Sequence, residues 1–347
     1  MAVRSQLCTL VAFASFIVAS AVWAEGPEEV SELNGTPYAV YSVPVSMAES
    51  AAEESSKLSV VTVETRDIHQ TFVSDFWKNS REFKQLGLSK PWSGYYMKVF
   101  LLREQLKVLN ETDPNHLVLF TDSDVFISPQ CDIKESGQIY NRYQKLKQAS
   151  GGMEVFFSAE IRRYEFPNRN IPETPQWAKT LNPHIMDLSA AKKLMWRDDA
   201  KSYEQGGLIY LNSGGFIGPV HKLLRVCNIA ADGIRYKQRA ARPHRKSKES
   251  SSLLALEVET AVGTDQHFFW DAYIYHQDLV TLDFAGLLFQ PLAAFDPEAR
   301  MAVDQNGNIH DRWLKQEMCF AHCNSKELKS GCKSWLEKHR AKLLGKV

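Results

Sequence analysis

The sequence has no excess of either charge: 41 Lys and Arg residues stand against 41 Asp and Glu. Nothing global draws it to nucleic acid or to an anionic surface, so a partner has to be inferred from local patterns. Standard metal-site spacings are missing as well. The stretch beginning at Asp122 is not a calcium loop, because its sixth position, Ile127, is not glycine and its twelfth, Ile133, is not an acid. Cys319, Cys323 and Cys332, with His322 among them, match no standard zinc-ligand spacing, and a local disulfide such as Cys323 with Cys332 is the expectation there. No feature pairs two acids across a glycosidic bond, which sets aside a carboxylate hydrolase.

Long apolar runs are scarce, and the clearest opens the chain. Arg4 is followed by twenty uncharged residues, Ser5 to Ala24, ending in Val22-Trp23-Ala24 with small residues where a signal peptidase reads. Residues 1–24 are expected to be a cleaved signal peptide; an uncleaved membrane anchor is the alternative, weakened by the interspersed Ser, Thr and Ala. Either way the domain is expected in the lumen of the secretory pathway, endoplasmic reticulum or Golgi, or secreted. Removing Cys8 leaves five cysteines, so at least one thiol is expected free or paired to another chain. The sequons at Asn34 and Asn110 agree with luminal exposure.

With 347 residues, 44% hydrophobic and 24% charged, the rest is ordinary globular material. Residues 25–56 are acidic, carry no sustained periodicity and read as a flexible lead-in. From 57 to 347 the pattern is that of an α/β domain with a mostly parallel, Rossmann-like sheet flanked by helices. Leu58–Thr65 is a β-branched strand ending in polar Thr65-Arg66-Asp67; Ile68–Leu86 has helical spacing, with Gly87 as a C-cap. A second helix follows Pro91-Trp92 through Val99, Leu102, Leu106 and Leu109. Val118-Leu-Phe120 is a short apolar strand buried on both faces. Ile133–Gln148 reads as a helix and Glu154–Glu160 as a strand. Residues 166–205 form an insertion or lid. A strand then runs into Asn212-Ser213-Gly214-Gly215, where paired glycines permit close backbone approach to a ligand or a plain turn. The basic run from Arg235, within a second insertion at about 235–260, reads as a solvated loop. Thr264 or Asp265 is a natural N-cap for the helix that follows. Met301–His310 looks like a hairpin around Asn306-Gly307, and the last strand delivers His322.

The chemistry gathers where the central strand stops at Asp122-Ser123-Asp124. Two carboxylates one residue apart supply oxygen ligands suited to Mn²⁺ or Mg²⁺, and such an ion neutralises a diphosphate and stabilises its departure. A pair of turn aspartates would look the same in isolation.

Seven separated motifs fall in a recognisable order: Val61-Thr-Val-Glu-Thr65, Lys98-Val99, Leu119-Phe-Thr-Asp-Ser-Asp-Val125, Val155-Phe-Phe-Ser-Ala-Glu160, Leu211-Asn-Ser-Gly-Gly-Phe-Ile-Gly218, Asp265-Gln266 and His322-Cys-Asn324. In these the chain resembles the glycosyltransferase domain of the multifunctional lysyl hydroxylases, a GT-A-type fold, and more loosely the collagen galactosyltransferases. The likeness spans roughly residues 57–326 and touches only the glycosyltransferase part of that family, so no hydroxylase activity is expected. It implies that Asp122, Asp124 and His322 hold Mn²⁺, that Val63, Glu64, Thr65, Ser123 and Asn324 meet the nucleotide, and that Asn212, Ser213, Gly214, Gly215 and Gln266 line the donor-sugar and acceptor side. Asp265 and Glu160 are the implied catalytic acids, positioning or deprotonating the acceptor hydroxyl. Three positions depart from the family: Asp-Ser-Asp replaces Asp-x-x-Asp, the acidic run shrinks to Thr264-Asp265, and His-Gly-Asn-Gly becomes His322-Cys323-Asn324-Ser325. The implied reaction moves a hexose, glucose or galactose, from a UDP-sugar to a hydroxyl acceptor on a protein or glycan. The alternative is a catalytically silent sugar-nucleotide or glycan-binding protein of the same fold.

Overall fold

The structure is a computed structural model that describes residues 31–33, 36–38, 58–66, 83–131, 137–160, 174–186, 210–241, 264–292, 297–323 and 329–343. The chain divides into two units, Met1–Tyr41 and Ser42–Val347. The first contains an antiparallel pair, β1 (Ser31–Leu33) and β2 (Thr36–Tyr38), in register Ser31↔Tyr38. The rest of the expected lead-in, residues 25–56, lies outside the described residues. Asn34-Gly35, a strong short-range hairpin signal, lies between the two strands, and the acidic composition masked it.

The second unit is built on β3 (Leu58–Val63), β4 (Phe83–Leu86), helix α1 (Tyr96–Thr112), β5 (Leu117–Thr121), β6 (Val125–Ile127), α2 (Gln138–Ala149), β7 (Val155–Glu160), α3 (Gln176–Leu181), β8 (Tyr210–Pro219), α4 (Val220–Ala241), α5 (Asp265–Tyr275), β9 (Val280–Asp283), β10 (Phe289–Pro291), α6 (Pro297–Arg300), β11 (Met301–Val303), β12 (Ile309–Asp311), β13 (Gln316–Glu317), β14 (Phe320–His322) and α7 (Lys329–Leu343). The main sheet has the order β4-β3-β5-β8-β7-β9. Five of its strands run the same way and β8 alone runs against them. The mostly parallel α/β expectation therefore holds.

Both faces of this sheet are covered, which is why its strands read as continuous apolar runs. Val61, Val63, Val118 and Phe120 point to a core shared with α1, α4 and α5, where Phe216 stacks between Phe120 and Phe157 at 4.6 and 4.5 Å. Their alternating neighbours Leu58, Val60, Leu117 and Leu119 face a second core with α2, α7 and the small sheet β10-β14-β6.

Three local expectations change. Phe83–Leu86 is not the end of a helix but an edge strand parallel to β3, and Gly87, at φ +87°, closes a strand; the rest of 68–82 lies outside the described residues. Backbone pairing with Val60–Val63 decides the matter over side-chain spacing. Helix α4 continues through Arg235 to Ala241, so the basic run begins on a helix, where Arg235 pairs with Asp232 at 3.3 Å. Helix α2 starts at Gln138, after Gly137 at φ +50°. In the 166–205 insertion, the described part holds the short helix α3 and a 3₁₀ turn, Pro183–Met186. The hairpin around Gly307 forms as expected, with Val303 opposite Ile309. Among the described residues no helix is long and apolar enough to cross a membrane, and residues 1–24 lie outside them.

Cys323 is bonded to Cys332, as the spacing suggested, and Cys227 is a buried free thiol. Spacing gave no sign of the second bond, Cys131–Cys319, because 188 residues separate its partners. Together they fasten the chain on both sides of β14. Replacing Cys131 and Cys319 together by serine is expected to lower unfolding free energy by about 3 kcal/mol, read by denaturant titration, because a crosslink over a long loop restricts the unfolded chain most.

Candidate metal and nucleotide site

The polar ends of the strands converge at one edge of the main sheet. Asp122 and Asp124 follow β5, Glu64 to Arg66 follow β3, Glu160 ends β7, and Asp265 opens α5. His322 ends β14, whose antiparallel pairing with β6 sets it opposite Val125 and beside the turn that carries both aspartates. A tight turn, with the Val125 amide donating to the Asp122 carbonyl at 3.2 Å, folds the two carboxylates together. One ligand atom from each of Asp122, Asp124 and His322 lies within 4.8 Å of the others. Two carboxylate oxygens and an imidazole nitrogen at this spacing fit a divalent cation such as Mn²⁺ or Mg²⁺.

Which atoms face the centre follows from what holds the others. Lys98 Nζ sits 2.6 Å from Asp122 Oδ1 and 3.1 Å from Asp265 Oδ2, which leaves Asp122 Oδ2 turned toward His322 Nε2 at 3.8 Å. Asp124 Oδ1 lies 3.0 Å from the same nitrogen. Burial works against the Lys98 charge, yet Asp122 and Asp265 outweigh it and hold the ammonium far above its usual range. Burial pushes the Asp122 carboxyl up, against the pull of Lys98. Burial also opposes charge on His322, but Asp124 prevails and raises the imidazole.

The glycine pair plays a part the sequence did not disclose. Between Phe157↔Phe216 and Ser158↔Asn212 the β7–β8 register slips, so Ser213, Gly214 and Gly215 have no β7 partner. The Gly214 carbonyl accepts the Asp122 amide at 2.9 Å. A Cβ on Gly214 would run into the His322 ring, and one on Gly215 into the Phe289 ring. Close approach is indeed what the glycines allow, but the groups that approach are protein side chains.

A second polar cluster joins β3 to the aspartate turn. Glu64 accepts from Arg66 Nε at 3.0 Å, Arg66 Nη2 at 2.7 Å and Ser123 Oγ at 2.6 Å. Gln85 of β4 donates to the Glu64 carbonyl at 2.9 Å and also to that of Arg66, pinning the loop from its far side. Thr65 is half-buried beside them and Val63 ends β3 in the core. Of the remaining candidates, Asn212, Ser213, Gln266, Asp265 and Glu160 are all buried, and Asn324 lies outside the described residues. Asp265 does not act as the N-cap; Thr264 holds that position without a side-chain cap bond, and the Asp265 carboxylate turns to Lys98.

No protein-family model matches the chain, and no curated protein sequence matches it. Among solved structures, a glycosyltransferase involved in the glycosylation of the major capsid of PBCV-1 superposes with a TM-score of 0.40 at 11% identity, covering 81% of this chain and 98% of that one.

Lys98 lies within one of the sequence motifs, which by itself assigns it no role. The signal was present: Lys98, Leu102 and Leu106 recur every four residues, so a lysine stands on the inward stripe of α1. Arg66 was likewise seen only as a polar strand end.

Burial raises the Glu64 carboxyl, but the hydrogen bonds from Arg66 and Ser123 more than offset this and take it from 4.5 down to about 2. A carboxyl depressed on folding contributes stability above its unfolded pKa and loses it as pH falls through the folded one. Between pH 4.5 and about 2 the wild-type protein should therefore lose more stability than Glu64→Gln, a difference that denaturant titrations across that window will read.

Proposed function

We propose that this protein is a metal-dependent glycosyltransferase of GT-A type, moving a hexose, glucose or galactose, from a UDP-sugar to a hydroxyl on a protein or glycan in the secretory pathway. The observation that carries the reading is the convergence of Asp122, Asp124 and His322 at the sheet edge where strand ends deliver ligands. Two disulfides suit an oxidising lumen.

In this reading Asp122, Asp124 and His322 hold Mn²⁺ or Mg²⁺. Bound there, the cation supplies positive charge to the departing diphosphate. The chain's own groups do the rest. Val63, Glu64, Thr65, Ser123 and Asn324 receive the nucleotide, with the Glu64–Ser123 bond fixing the loop on one side of the cation site. Lys98 balances Asp122 and Asp265, so the acids can be packed together before any ligand arrives. Asn212 to Gly215 and Gln266 are the residues assigned to the donor-sugar and acceptor side. Asp265 is the acid assigned to the acceptor hydroxyl.

A second reading, a silent sugar-nucleotide-binding protein, is favoured by one observation: Asp265 and Glu160 are both buried and engaged with protein groups. UDP release from UDP-glucose and UDP-galactose, measured with and without Mn²⁺, separates the two. Mn²⁺-dependent release that falls at least 100-fold in Asp124→Ala is expected; Mn²⁺ binding without any release, over a panel of hydroxyl acceptors, favours the silent protein. Release undiminished in Asp124→Ala removes the metal assignment altogether.

A further inference from the structure

We infer that Glu160 is a positioning residue that sets the tautomer of His322 through Asn212, and that it does not meet the substrate. The inference rests on the metal-binding reading above and deepens it. Glu160 and Asn212 are diagonal neighbours on the β7–β8 ladder, where Ser158 stands opposite Asn212 and Glu160 opposite Tyr210. Asn212 Nδ2 donates to Glu160 Oε2 at 3.0 Å. A carboxylate only accepts, so this contact forces the amide nitrogen toward Glu160 and the amide oxygen the other way. On that other side the Gly214 amide donates to Asn212 Oδ1 at 2.9 Å, and an N–H only donates, so both ends of the side chain agree on its orientation.

The same oxygen lies 3.1 Å from His322 Nδ1, and His322 must therefore carry hydrogen on Nδ1 to bond it. That leaves the lone pair of the neutral ring on Nε2, the nitrogen facing Asp122 and Asp124. The constraint is needed because Asp124 works against it: a carboxylate 3.0 Å from Nε2 favours the tautomer with hydrogen on that nitrogen, which cannot ligate. Fixing the far nitrogen of a ligating histidine is the usual way a protein orients it and raises its basicity.

Glu160 is in turn held from behind. Gln266 Nε2 donates to Glu160 Oε1 at 2.8 Å and to the Leu211 carbonyl at 2.7 Å. The carboxylate is 1% exposed with both oxygens accepting from amides, a poor location for a group that must take a proton from a substrate. The residue before Gln266 on α5, Asp265, braces the other side through Lys98 and Asp122. The first two residues of one helix thus support the aspartate and the imidazole separately.

The test is Mn²⁺ affinity without any sugar nucleotide, by titration with electron paramagnetic resonance detection, together with the ¹⁵N shifts of His322 in the metal-free protein at a pH high enough for a neutral ring. Glu160→Gln should weaken Mn²⁺ roughly 10- to 100-fold and move His322 toward the tautomer with hydrogen on Nε2. Asn212→Ala should give a similar loss, and the double variant little more than either single one, because both act on one chain of contacts. If Glu160→Gln does not fold, Asn212→Ala alone decides, since unchanged affinity and tautomer in that variant contradict the inference equally. Wild-type Mn²⁺ affinity and tautomer in Glu160→Gln, with UDP release lost, would make Glu160 a substrate-facing acid and overturn the proposal while leaving the metal site standing. A wild-type protein that binds no Mn²⁺ overturns the metal reading first and this inference with it.

Discussion

Crowded negative charge is the constraint around which this structure is arranged. Asp122, Asp124 and Asp265 are gathered at one sheet edge, and Coulomb repulsion between two unit charges about 4 Å apart costs about 4 kcal/mol at an effective dielectric near 20. Such a cluster persists only if cations enter it. Lys98 is one, reaching from the inward stripe of α1 to two carboxylates at once, and the trio Asp122, Asp124 and His322 fits a divalent cation as the other. Removing either would leave buried charge without compensation, which is far costlier than never having buried it. The centre between Asp122 Oδ2, Asp124 Oδ1 and His322 Nε2 is where a divalent cation would relieve what Lys98 leaves unbalanced.

Much of the surrounding architecture serves to deliver the imidazole. His322 comes from a strand far along the chain that belongs to the small sheet, not the main one, and its position depends on β14 pairing with β6. Cys319 and Cys323 stand on either side of the strand and are tied to Cys131 and to α7. The slipped register of β8 turns Gly214 beneath the ring, where any side chain would collide with it. Sheet pairing, covalent ties and a residue without a side chain thus act on the same atom group.

The main sheet was legible in the sequence because burial on both faces produces unbroken apolar runs, as in Leu117-Val-Leu-Phe120 and Val155-Phe-Phe157. The acids at the strand ends stood out for the same reason, by the abrupt change from apolar to charged. Phe83–Leu86 was not legible: an edge strand with Lys84 and Gln85 has no apolar run, and its identity comes from backbone bonds to β3. Lys98 could have been found from its place on an otherwise apolar stripe. The link from Glu160 through Asn212 to His322 could not, because it joins three distant segments by side-chain orientation, and the Cys131–Cys319 bond was hidden in the same way. Strand periodicity is a local property, whereas the partner of a polar group is a property of the fold.

Two carboxylates and one imidazole are proposed to share a single cation. Electron spin echo modulation of the bound Mn²⁺ reads it most directly, because a coordinated imidazole nitrogen leaves its own frequencies in the echo. Nitrogen modulation is expected in the wild-type protein and should disappear when His322 alone is replaced by alanine. Modulation that survives the replacement, or Mn²⁺ bound with no nitrogen signal at all, would contradict it.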